Sequence, residues 1–94
     1  MLRVEAMNGE FARPATTKEI SKMVDKLKLA LEDGSIGLST GLAYPAANDA
    51  PTSEIMELAK ILPEFDGIFT THMRNEAVDV IKSVNETINI SSTA

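Results

Sequence analysis

Apolar and polar positions alternate along this chain in two different rhythms, and the switches between them mark out helix, strand, helix, strand, helix. Thr16-Thr17-Lys18-Glu19 has the form of a capping box, with Thr16 capping and Glu19 reaching back. Ile20, Met23, Val24, Leu27 and Leu31 then fall on one helical stripe, which Gly34 ends in the left-handed conformation. Residues 36–42 change to a period of two: Ile36, Leu38, Thr40 and Leu42 face one way, and Gly37, Ser39 and Gly41 the other. Glycine on alternate positions makes a poor strand unless another backbone or a ligand approaches that face closely. A Pro/Ala/Asn loop spans 43–51. A second helix is predicted over 53–62, with Ile55, Leu58, Ala59 and Leu62 as its stripe. Pro63 and Gly67 flank a turn into a second strand over 67–73. The spacing predicts a third helix over 76–87 that buries Ala77, Ile81, Val84 and Ile88. Residues 1–15 are weakly patterned and 91–94 read as an unstructured tail.

Two strands joined through a single helix imply a βαβ crossover and a parallel pair. The fold class is therefore α/β, with about two parallel strands and three helices. Two parallel strands do not make a stable sheet unaided, because both faces of a parallel sheet need cover and its edges need partners. With 94 residues the chain is one small unit, and it reads as a piece of something larger.

Composition narrows the chemistry. The aromatic residues are Phe11, Tyr44, Phe65 and Phe69, so the core must be aliphatic and filled with methionine. A net charge of -5 without a basic patch argues against a nucleic-acid partner. No cysteine is present, which removes disulfides and thiolate metal sites from this chain. The opening Met1-Leu2-Arg3-Val4-Glu5-Ala6 lacks the apolar segment of a signal peptide, and no run approaches a membrane span. A cytoplasmic location and no membrane partner are expected.

His72, the one histidine, lies near the C-terminal tip of the second strand. In parallel α/β folds, ligands and metals gather at that end. Ile68, Thr70 and His72 share one face, Phe69, Thr71 and Met73 the other, so His72 points away from whatever covers Phe69. Taken alone, a single histidine is more often a satisfied loop or core residue than a ligand. Gly37-Leu38-Ser39-Thr40-Gly41 fits the nucleophile-elbow pattern, but no second histidine exists to act as base for Ser39.

Three blocks decide between these readings: Arg13-Pro14-Ala15-Thr16; Gly37-Leu38-Ser39-Thr40-Gly41-Leu42 followed by Tyr44-Pro45; and Thr71-His72-Met73-Arg74-Asn75-Glu76. In this order the chain resembles the D-aminoacylase family, N-acyl-D-amino-acid deacylases of the amidohydrolase superfamily, from about Leu2 to Thr87. The resemblance implies a segment of a (β/α)8 TIM-type barrel: residues 1–94 would form a single fragment of the catalytic barrel, about strands four and five with flanking helices. It also implies a zinc-dependent hydrolase that removes the acyl group from N-acyl-D-amino acids by metal-activated water. His72 matches the family's metal-ligating histidine, Tyr44 its substrate-lining tyrosine, and Arg74 and Glu76 its charged residues beside the ligand, with supporting roles. The remaining ligands and the catalytic aspartate have no match here, so no catalytic base is assigned within the chain and the chain alone is expected to be inactive. The loop departs from many relatives in reading Pro45-Ala46 where they carry Pro-Gly. The alternatives are a cyclic-amide amidohydrolase of dihydroorotase or hydantoinase type, and a non-catalytic α/β interaction module. Open strand edges also lead us to expect self-association of the isolated chain.

Overall fold

The computed structural model describes residues 2–94. Its longest helix starts as the sequence implies. The Thr16 hydroxyl accepts from the Glu19 backbone N–H at 3.2 Å, and the Thr16 N–H donates to Glu19 Oε1 at 2.9 Å. Helix α2 (Thr17–Glu32) then buries Met23, Leu27 and Leu31. It ends on Gly34 at φ +111°, where the Gly34 and Ser35 amides donate to the Leu31 and Ala30 carbonyls. That is the Schellman arrangement, and it turns the chain sharply into the sheet.

Strands β1 (Gly37–Gly41) and β2 (Ile68–His72) pair in parallel, with Gly37 opposite Ile68 and Gly41 opposite His72. Glycine at 37 is a close-approach requirement: a Cβ there would lie 1.9 Å from the Ile68 carbonyl oxygen. One face of the pair carries buried Leu38, part-buried Phe69, and a Thr40–Thr71 hydroxyl hydrogen bond of 2.7 Å. The other face, with Ser39, Ile68, Thr70 and His72, is exposed. The crossover runs through α3 (Pro45–Asn48), α4 (Thr52–Ala59) and a 3-10 turn (Leu62–Phe65). Helix α4 packs between α2 and α5 (Val80–Ser91) and buries Ile55, Leu58 and Ala59. With Leu62, Leu42 and Ile90 these make the aliphatic core, each buried Leu or Ile contributing about 1.5–3 kcal/mol.

The parallel pair and all three expected helices are present, and four expectations need correction. Two short helices join the three. The first, α1 (Leu2–Ala6), lies in the weakly patterned start, and α3 lies in the expected loop. The third expected helix begins at Val80 instead of 76, because Asn75 Oδ1 accepts from the Ala77 and Asp79 amides and holds 76–79 in turns. Its buried face is also different. Ser83 and Ile90 are buried, whereas Ile81 and Ile88 are 70% and 59% exposed and Ala77 is exposed. Polar anchoring overrides the apolar stripe: Glu86 is tied to Arg74 and Thr52, which fixes the rotation of α5. Finally, the C-terminal end is not all loose, since α5 continues to Ser91 over a fully buried Ile90. Among the described residues no helix is long and apolar enough to cross a membrane.

Candidate active site

β1 and β2 end together, and the register sets Gly41 directly beside His72. The Leu42 N–H donates to the His72 carbonyl at 3.1 Å, which locks the two strand ends. Tyr44 follows in extended conformation as the residue capping α3, with Pro45 in the first helical position. Its ring lies over Gly41, where a Cβ would come within 2.7 Å of Tyr44 Cδ2. The absence of a side chain at 41 therefore lets the tyrosine ring reach His72. The two ring centroids are 5.1 Å apart and the planes are tilted by 52°. They border an open concavity of about 620 Å³ that Phe11, Ser39, Thr40, Gly41, Pro45 and Ala46 complete.

The His72 ring is half exposed, with Nδ1 3.2 Å from the Met73 carbonyl oxygen. A proton on Nδ1 donates to that carbonyl and leaves the Nε2 lone pair free, the arrangement that suits an imidazole ligand. Glu76 Oε1 stands 3.9 Å from Nδ1, beyond hydrogen-bond distance. Among the described residues no three His, Cys, Asp or Glu side chains converge as a metal site. The donor set thus fits one position of a metal centre and supplies no more. Tyr44 is 56% exposed and its hydroxyl makes no hydrogen bond among the described residues. Ser39 is exposed on the same face, and no hydrogen bond joins it to His72 among the described residues.

Arg74 points elsewhere. Its Nε and Nη2 donate to the two carboxylate oxygens of Glu86 at 3.0 and 2.8 Å, and Nη1 and Nη2 donate to the carbonyls of Asn48 and Ala50. Thr52 Oγ1 donates to Glu86 Oε2 at 2.7 Å. Burial works against the charged form of Glu86, but the hydrogen bonds from Arg74 and Thr52 and the guanidinium charge outweigh it. They hold the carboxyl below its ordinary value. Arg74 therefore pairs with Glu86 and not with its near neighbour Glu76. Glu86 escapes a sequence reading because twelve residues and a turn separate it from Arg74. A second unforeseen cluster lies at the other end of α3. Arg3 is buried, pairs with buried Glu54 at 2.8 Å, and also donates to the carbonyls of Phe11, Arg13 and Ala46. Its only sequence signal is an arginine beginning a helix whose neighbours are apolar.

No protein-family model matches the chain. The D-aminoacylase of Alcaligenes xylosoxydans xylosoxydans is 40% identical over 85 residues, which is 90% of this chain and 18% of that protein. A crystal structure of D-aminoacylase, one that defines a novel subset of amidohydrolases, matches with a TM-score of 0.94 and 38% identity, covering 98% of this chain. This chain resembles the D-aminoacylases. It spans about a fifth of their length, 19% of the solved D-aminoacylase. N-acyl-D-glutamate deacylase from Bordetella bronchiseptica, solved with zinc and a phosphonate mimic of the tetrahedral intermediate, matches with a TM-score of 0.90 at 39% identity. That match covers 96% of this chain and 19% of that one.

Proposed function

We propose that the chain is one segment of a zinc-dependent deacylase acting on N-acyl-D-amino acids, corresponding to about the fourth and fifth strands of a (β/α)8 barrel. The observation that carries the reading is the contact of the one tyrosine with the one histidine at the open C-terminal end of a parallel strand pair, on residues that match the D-aminoacylase pattern. His72 offers Nε2 to the metal while the Met73 carbonyl holds the ring's orientation through Nδ1. Zinc bound there would supply Lewis-acid chemistry, the kind that readies a water for attack on an amide carbonyl. Tyr44 offers an unengaged hydroxyl across the concavity, suited to donate to the substrate carboxylate. Arg74 and Glu76 do not reach the concavity in this reading: Arg74 braces the Tyr44 loop, and Glu76 adds negative charge beside the imidazole. The exposed Ser39–Thr70 face supports burial against further strands, and the open edges support self-association when the chain stands alone.

A graft tests the proposal. Replacing the matching fifth of D-aminoacylase by this chain should leave a zinc-binding deacylase, whereas the same graft with His72→Ala should lose zinc and turnover together. A folded graft whose zinc content and turnover survive His72→Ala would sink the assignment.

A further inference from the structure

The Tyr44 ring owes its place to backbone, since among the described residues its hydroxyl has no hydrogen-bond partner and its floor is a glycine. The backbone in question is short. The Tyr44 carbonyl accepts from the Ala47 and Asn48 amides at 3.0 and 2.8 Å, and the Asn48 side-chain amide donates back to the Leu42 carbonyl at 3.0 Å. Tyr44 is thus fixed relative to Asn48. Asn48 is in turn fixed by Arg74, which takes the carbonyls of both Asn48 and Ala50. The aim of Arg74 is set by Glu86, whose carboxylate meets the guanidinium edge with two parallel hydrogen bonds. Such fork-to-fork pairing fixes orientation as well as distance. The Thr52 hydroxyl fixes the carboxylate itself. Both members are well shielded, at 26% and 11% exposure, so solvent does not compete strongly for the pair.

We infer that Glu86 is a positioning residue: acting through Arg74, it holds the α3 loop so that the Tyr44 ring stays against His72. The inference rests on Tyr44 and His72 being the working pair of the proposed site, but its test needs neither substrate nor metal. A failure of the deacylase reading therefore leaves the outcome interpretable.

The chain carries one tyrosine and one histidine, so their ring protons are unambiguous in an NMR spectrum. In the wild-type chain, nuclear Overhauser contacts between the two rings and a ring-current shift of the His72 protons are expected. Glu86→Gln removes the charge and one of the two parallel acceptors while keeping the volume. It should abolish or strongly weaken both signals in a chain whose far-UV circular dichroism is unchanged. Lys82→Gln, nearby on α5 but outside the clamp, should leave them as in wild type. Glu86→Asp keeps the carboxylate and should restore part of the signal. A merely structural role predicts lower stability with the ring contacts intact below the unfolding transition. Folded Glu86→Gln with wild-type ring contacts overturns the inference, and so does a folded wild-type chain without them. If Glu86→Gln does not fold, Glu86→Asp is read by the same two signals against wild type, and undiminished contacts overturn it equally.

Discussion

Removing Glu54 should be the most damaging single change away from the apolar core. Its side chain is 1% exposed and Arg3 is 6% exposed. Glu54 accepts from Arg3 Nε at 2.8 Å, from Arg3 Nη2 at 3.5 Å and from the Ala15 amide at 3.2 Å. Glu54→Ala strands a buried guanidinium and a backbone N–H at once. Breaking a buried pair in this way costs about 3–5 kcal/mol. A domain of this size is stable by roughly 5–14 kcal/mol, taking about 0.05–0.15 kcal/mol per residue, so the variant loses a large share of the total. At a urea slope of about 1–3 kcal/mol/M, the midpoint should fall by roughly 2 M. The assay is urea unfolding followed by far-UV circular dichroism. Replacing both partners, Arg3→Met with Glu54→Leu, should recover most of the loss, because a well-packed apolar pair avoids the desolvation cost that the ion pair carries. A midpoint shift below about 0.5 M at unchanged slope for Glu54→Ala would refute the view of Arg3 as a buried hub.

Two further outcomes are expected. Hydrogen bonds from Arg13, with the Thr16 amide adding to them, lower Glu19 from 4.5 to about 2. A depressed folded value means that its contribution is present above pH 4.5 and is lost as the pH falls toward about 2; Glu19→Gln should flatten the unfolding midpoint across that window, and a wild-type pH dependence in that variant would count against the capping pair. Gly41→Ala should push the Tyr44 ring off its floor, since the new Cβ would lie 2.7 Å from Cδ2. The chain should remain folded while the ring contacts with His72 vanish, and unchanged contacts would contradict the close-approach role of Gly41.

What the sequence made legible was local or periodic. The capping box at Thr16, the left-handed stop at Gly34 and the alternating strands need only near neighbours and the pleat, and they hold in the structure. The His72 direction was legible for the same reason: with period two, one part-buried residue such as Phe69 decides which face every other residue of the strand takes. The rotation of α5 was not. A stripe of Ile81, Val84 and Ile88 reads as a core face, yet the helix turns on the Arg74–Glu86 pair, a contact between residues with no periodic relation. The stripe is left uncovered in the described residues. Likewise α1 is five residues long, too short to be stable by propensity, and its place comes from Arg3 reaching Glu54 fifty-one positions away.

The two arginine clamps, whose carboxylate partners escaped the sequence reading, share one object. Arg3 donates to the Ala46 carbonyl from the side of α1, and Arg74 donates to the Asn48 and Ala50 carbonyls from the end of β2. Between them lies α3, four residues long, whose Ala46 and Asn48 carbonyls accept from the two guanidinium groups. Surface connections of this length are ordinarily the mobile part of a fold. Here each end is tied by a guanidinium that is itself aimed by a carboxylate, Glu54 or Glu86. The difference in burial separates their duties. The Arg3–Glu54 pair is sealed and joins four segments of chain, so its loss should remove a large share of the stability of the molecule. The Arg74–Glu86 pair is nearer the surface and ties only the loop, the strand end and α5, so its loss should free Tyr44 without melting the core. A binding residue on a loop gains precision only where the loop cannot move, and two independent clamps on the connection between β1 and α4, residues 42–51, supply that condition at the mouth of the concavity.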